Sequence, residues 1–198
     1  MDWEYEDSGV LGRLVVRLIA VMVLGALGGS IQSVHAQGPT EYQVKAAFLS
    51  NFAHFVDWPS NAFPTEHAPI TIGVLGDDPF GSALEEVVAG KLVDGRAFEI
   101  KRFRKVEDIK TCHILFISSS ELKRLAVHFD DLSQRGILTV GDVDRFAEYG
   151  GVISLVLVGN HVRFEVNVWA ADKAGLKISS KLLNLARAVV QWPRVEAG

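Results

Sequence analysis

The stretch Ile70–Gly81, ITIGVLGDDPFG, restricts the chain to few folds. Ile70, Ile72, Val74 and Leu75 make a short buried-strand pattern, and Gly73 and Gly76 loosen the backbone around its end. Phe80, Ala83, Leu84, Val87 and Val88 then recur at i, i+3, i+4, i+7 and i+8, which is one face of a helix. Asp78 suits the N-cap, where its carboxylate can accept from free first-turn N–H groups. Pro79 suits the first helical position, where its missing N–H is no loss. Strand, tight turn and helix in this order open an α/β domain. Two acids at the carboxyl end of a strand could equally be an active site, so the rest of the chain must decide.

The other segments repeat the alternation. Thr40–Trp58 reads as a helix with a wide apolar face. Tyr42, Ala46, Leu49, Ala53 and Val56 form one stripe, and Val44, Phe48, Phe52 and Phe55 form a second. Only Lys45, Ser50, Asn51, His54 and Asp57 face outward in this reading. Such a helix packs on two sides, or packs on one and offers the other to a partner. Trp58-Pro59 ends it, because the residue before proline disfavours the helical region. Gly90 stops the second helix. Lys91–Val93 and Phe98–Phe103 read as a strand pair about Asp94-Gly95, or as one bent strand, and Val106–Lys110 as a helical turn. Cys112–Ile117, CHILFI, is continuously apolar, as a strand covered on both faces should be. Ser118 and Glu121 form a capping box for a helix through Leu122, Leu125, Ala126 and Phe129, ending at Gly136. Ile137–Val140 is a further strand. Val143–Tyr149 reads as a short helix capped by Asp142 and broken at Gly150-Gly151. Val152–Val158 and Val162–Val168 flank Gly159-Asn160, a two-residue hairpin signal. Trp169–Ala174 and then Ile178 to about Trp192 read as the closing helices.

Strands alternating with helices imply a three-layer α/β/α domain with a mostly parallel sheet. The C-terminal hairpin adds an antiparallel edge. At 48% apolar content the chain can bury a core. A formal charge of −4 and the absence of a basic run argue against nucleic acid as a partner.

The N-terminus reads as a secretory signal. Leu18–Leu27 is an apolar run behind Arg13 and Arg17, and Val34 and Ala36 are small residues at −3 and −1 of a cleavage after Ala36. The run is shorter than the ~20 residues of a membrane span. Residues 1–36 are therefore expected to be a signal peptide and 37–198 a single domain of 162 residues, carrying net charge −2 once four acids and two arginines are removed. The acidic opening MDWEYED is unusual for a signal, and a start near Val10 would remove the conflict.

Ligands of open α/β sheets bind outside the carboxyl ends of the strands. Three such ends carry polar residues: Asp77-Asp78, Ser118–Ser120 and Gly141-Asp142. No phosphate-cradling glycine loop and no G-x-S-x-G elbow is present. A receiver-type phosphoacceptor would need an aspartate where the serines stand and a lysine after a late strand. Cys112 lacks a base, because His113 points to the opposite sheet face. His54, His67, His128 and His161 have no metal-ligand spacing. A catalytic role, a metal and a cofactor are therefore not expected, and Asp78 reads as a cap. The lone Cys112 reads as a buried small hydrophobe.

The segments YQVKAAFLSNFAHFVDWP, ITIGVLGDDPFG, Gly95-Arg96, CHILFIS, ILTVGD, FAEYGG, RFEVN and AGLKISSKLLNLA occur in this order along the chain. Together they resemble the YfiR family of periplasmic proteins. The resemblance implies a non-catalytic α/β/α domain that binds the periplasmic sensor part of an inner-membrane diguanylate cyclase and represses it. It further implies sequestration by an outer-membrane lipoprotein, control of cyclic di-GMP and biofilm, and a homodimer. Redox-sensing members carry further cysteines in disulfides, one at the position of Cys112. With one cysteine, this chain has no internal disulfide to switch. A repressor needs an apolar patch for its partner. Phe48, Phe52, Phe55 and Trp58, the rim at Asp77 and Phe80, and the polar strand face of Arg163, Glu165 and Asn167 are the candidates. A small-ligand-binding module using the crevice at the strand ends is the alternative reading, and an enzyme using Asp77 and Asp78 a third.

Overall fold

The computed structural model describes residues 39–191. The expected signal peptide and Trp192 lie outside them. Helix α1 (Glu41–Phe52) opens the described chain, followed by a 3-10 turn (Ala53–Phe55) and strand β1 (Val56–Asp57). Next come β2 (Ile70–Leu75), α2 (Ala83–Val88), β3 (Leu92–Val93) and β4 (Arg96–Phe103). A second α/β unit follows as β5 (Ile114–Ile117), α3 (Leu122–Gln134) and β6 (Leu138–Gly141). The chain closes with β7 (Ile153–Val158), β8 (His161–Asn167), α4 (Val168–Lys173), β9 (Lys177–Ile178), α5 (Ser180–Leu185) and β10 (Ala188–Val190).

Eight strands form one sheet in the order β10-β8-β7-β6-β5-β2-β4-β3. Pairing is parallel except at the β7–β8 and β3–β4 hairpins. The strands β1 and β9 form a separate antiparallel pair, with Val56 opposite Ile178. Every residue of β2, β5 and β6 is buried. Side chains alternate between sheet faces, so each of these strands feeds two cores. Ile72, Val74, Ile114, Phe116, Leu138 and Val140 pack with α1, α2, α4 and α5. Leu75, Leu115 and Ile117 pack with Phe129 and Leu132 of α3. This is the three-layer α/β/α arrangement.

Several local expectations are corrected. The expected first helix, Thr40–Trp58, ends as regular α-helix at Phe52, and Val56–Asp57 turns into a strand. Its start is capped reciprocally: Gln43 N–H donates to Thr40 Oγ1, and Thr40 N–H donates to Gln43 Oε1. The expected helix from Ile178 to about Trp192 is confined to Ser180–Leu185. Val189 continues the helical period of Leu182 and Leu185, but Ala186 is extended and Ala188–Val190 pairs with β8 as a strand. The hairpin is therefore not the sheet edge; β10 lies outside it.

The expected helix Val143–Tyr149 is also absent. Residues 142–152 cross from β6 to β7 in irregular turns. Phe146, fully buried, holds this segment by inserting its ring between two glycines. A Cβ at Gly141 would stand 2.4 Å from the ring and one at Gly151 2.1 Å from it. The ring also meets Phe129 edge-on at 5.6 Å. Close approach to an aromatic face, rather than helix propensity, decides the backbone here. Gly151→Ala is expected to destabilise the fold by about 1–3 kcal/mol through overpacking, read as a lower midpoint in urea denaturation. Ala at Gly81, where a Cβ would meet nothing but the left-handed backbone is strained, should cost less.

Candidate functional site

The carboxyl ends of β2 and β5 flank the point where strand order reverses, the usual ligand crevice of such sheets. Here it is sealed. Asp77 N–H donates to Ser120 Oγ at 3.0 Å. Gly76 has φ +87, and a Cβ there would lie 2.4 Å from the same oxygen. Ser118 and Glu121 make no side-chain capping box; the backbone Glu121 N–H bonds Ser118 O instead.

Asp78 is not the cap of α2. The helix begins only at Ala83, with Ser82 at its N-cap. Asp78 Oδ1 accepts from Phe80 N–H at 2.8 Å, and Oδ2 accepts from Arg102 Nε at 2.7 Å. Arg102 also bonds Glu85 and the Gly81 carbonyl. The hydrogen bond that Arg102 donates to Glu85, then the one it donates to Asp78, raises the Arg102 pKa further. Asp77 is exposed, and its carboxylate makes no bond among the described residues. Neither acid stands next to a base.

Asp142, at the end of β6, anchors α1 rather than capping a helix. Lys45 Nζ donates to Asp142 Oδ2 at 2.6 Å and pairs with Glu41 at 2.5 Å. Tyr42 Oη donates to the same Asp142 oxygen at 3.1 Å. Lys45, expected on the outer face, is buried, as is Ser50, whose hydroxyl donates to the Ala47 carbonyl. Burial opposes the lysine charge, but the bonds to Asp142 and Glu41 outweigh it and raise its pKa. Burial, helped by the Asp142 charge, raises the Tyr42 pKa as well. Sequence periodicity missed this cluster because Lys45 and Asp142 are joined only through tertiary contact. Its one sequence signal is a lysine set among the apolar stripes of α1.

The outer part of α1 forms an apolar hollow of about 350 Å³. Phe48, Phe52, Phe55, Phe164, Leu182 and Leu185 line it. Phe48 is half-buried and meets Phe52 at 5.8 Å and Phe164 at 5.7 Å. Phe55 is also half-buried, while Leu185, which the sequence did not single out, is 67% exposed. Phe52 is 1% exposed and forms the floor. Trp58 lies apart from this lining, half-buried against Phe63 and His113, and its indole N–H is buried without an acceptor.

The other surface candidates fare differently. Phe80 belongs to the core, edge-on to Phe116 at 4.7 Å, and presents no rim. Asn167 is fully buried: Oδ1 accepts from Ala170 N–H, and Nδ2 donates to Ala147 O. It caps α4 and is removed from the strand's polar face. Glu165 is half-buried beside β10, where Arg187 donates to it at 3.1 Å. Only Arg163 of the three stays exposed.

Cys112 is buried; desolvation pushes its thiol up to about 12, so it is neither a thiolate nucleophile nor a ready redox group at neutral pH. His113 is stacked on Phe63 at 4.3 Å. Its Nδ1 accepts from Thr71 N–H, and Nε2 donates to Ala62 O in the neutral tautomer this requires. No group of three or more metal-ligating side chains exists among the described residues. Nor is any described helix long and apolar enough to cross a membrane.

A family model described as YfiR/HmsC-like matches residues 42–187. No curated protein matches the chain. A solved structure, a conserved domain protein from Vibrio cholerae O1 biovar El Tor str. N16961, is similar at 14% identity with a TM-score of 0.45. The match covers 60% of this chain and 54% of that one, so this chain spans about half that structure's length. A likeness of this degree carries no argument about function.

Two outcomes follow from the buried polar groups. Asp142→Ala leaves Lys45 buried with Glu41 alone, and a loss of about 3 kcal/mol is expected by chemical denaturation. Replacing both partners with Lys45→Met and Asp142→Leu should cost less than the two single losses added. Desolvation, the leading cause, depresses the folded-state pKa of His113 below 6.5. The unfolded chain therefore binds this proton first. Stability from His113 is complete above about pH 6.5 and is lost as pH falls toward the lower folded value. His113→Gln, which can keep both bonds, should show a smaller drop in denaturation free energy between pH 7 and pH 5 than the wild type.

Proposed function

Since this chain belongs to the YfiR/HmsC-like family, we propose that it is a non-catalytic periplasmic regulator that represses an inner-membrane diguanylate cyclase by binding its periplasmic sensor region. The apolar hollow on α1 carries this reading. It offers aromatic walls and an exposed leucine, and its volume of about 350 Å³ is ample for a partner side chain of aromatic or branched aliphatic type. Fully burying one such side chain is worth roughly 1.5–3 kcal/mol, enough to make it a hot spot. The strand-end acids support the absence of catalysis: Asp78 and Asp142 are engaged in ion pairs, and Ser120 Oγ accepts from Asp77 N–H across the crevice between β2 and β5.

In this account the N-terminal 36 residues export the chain. The partner region consists of Phe48, Phe55 and Leu185 over Phe52, with Trp58, Asp77 and Arg163 as further exposed or half-exposed positions. An outer-membrane lipoprotein competing for the regulator would release the cyclase, raise cyclic di-GMP and promote biofilm. A homodimer is part of the same proposal.

Leu185→Glu and Phe48→Glu test it. Leu185 is solvent-facing, so Leu185→Glu should keep the wild-type melting temperature and weaken binding to the isolated sensor region of the cyclase at least tenfold. Cells carrying either variant, or a deletion, should show raised cyclic di-GMP. Wild-type affinity in both variants would remove the hollow as the docking surface. An unchanged cyclic di-GMP level on deletion would remove the repressor role.

A further inference from the structure

A cavity of about 610 Å³ opens at the end of the sheet opposite the usual crevice, beside the amino ends of β5 and β6. Its size falls in the roughly 300–1,000 Å³ range of small-molecule sites. Cys112-His113 and Gly136-Ile137 form its inner wall, Pro59–Pro64 one side, and the ends of α3 and α4 the other. Three cations line it, Lys110, Arg135 and Lys173, and no carboxylate does. This is a local excess of positive charge in a chain whose net charge is −4.

Two of the cations are braced. Arg135 binds Asp131 at 2.6 Å through Nη2 and donates from Nη1 to the Ile109 carbonyl at 2.8 Å. Those bonds and the one from Nε leave one N–H on each terminal nitrogen free. Lys173 pairs with Asp130. Both cations stand in or next to the last turn of a helix, where the helix dipole alone favours them. Lys110 has no such explanation. It belongs to neither helix, is exposed, and makes no bond among the described residues. Neutral donors on Asn61, Thr111, Ser133 and Gln134 also line it.

We propose that this cleft binds a small, multiply charged oxyanion, with Lys110 as the counter-ion and Arg135 and Lys173 as directed donors. The site shares no lining residue with the hollow on α1 and stands independently of the regulator reading. Carboxylates and phosphates share the recognising chemistry, so citrate and pyrophosphate serve as separate probes, each titrated into the purified protein at constant ionic strength against sodium chloride. The expected result is a saturable shift of the Thr111, Gly136 and Gly175 amide resonances with at least one probe. Whichever probe binds names the head group. Lys110→Gln should weaken binding at least fivefold without changing the melting temperature of the free protein. Lys173→Gln, as a second variant, should weaken it too. No shift beyond that of chloride, shifts confined to other amides, or wild-type affinity in both variants would each overturn the proposal.

Discussion

The burial of three adjacent strands on both faces governs this structure. In β2, β5 and β6 no side chain reaches water, so each strand must find apolar cover above and below. The short helix α2 illustrates the dependence. Six residues are too few for a helix to persist alone. It stands because Ala83, Leu84 and Val88 complete the core over Ile72 and Val74. The polar groups that accompany these strands are bound in the same way. Thr71 N–H is satisfied by the His113 ring, and Val152 N–H by the Thr139 hydroxyl.

Sealing the sheet this tightly redistributes where chemistry can happen. The carboxyl end of the sheet spends its acids on structure, Asp78 on Arg102 and Asp142 on Lys45. A lysine with 5% of its side chain exposed would be a liability unpaired, and Asp142 makes it a tie between the first helix and the loop after β6. Open space remains at the opposite end of the sheet and on the flank of α1. These are the two places where binding is proposed.

The layers were legible in the sequence because burial writes itself as periodicity. CHILFI and ITIGVL are mostly apolar, interrupted only by His113 and Thr71, and both lie at the centre of the sheet. The hairpin at Gly159-Asn160 was legible from its turn residues, since β7 and β8 pair directly across it. The readings that failed are those where helical spacing was accidental. Leu182, Leu185 and Val189 fit a helix wheel, yet the β-branched pair Val189-Val190 joins β8. FAEYGG carried an aromatic whose partners were glycines on both sides, which no propensity scale records. The site was less legible still. Alternation placed Asn167 on the outer face of its strand, but the chain turns into α4 there and takes the amide inside as a cap. The stripe of Phe48, Phe52 and Phe55 was visible as a stripe. Its division into floor and walls depends on Phe164 and Leu182, more than a hundred residues downstream.

That separation bears on the order in which the molecule is assembled. The helix α1 comes first along the described chain, yet its aromatic face rests on β8, and its lysine on the loop after β6. Contacts of such long sequence separation carry a loop-closure entropy that must be met before they stabilise the chain. Until β8 is in place, Phe48, Phe52 and Phe55 have no Phe164 to meet. The proposed docking face is therefore created by completion of the domain, so a chain truncated before β8 would retain the α1 sequence but lack the surface.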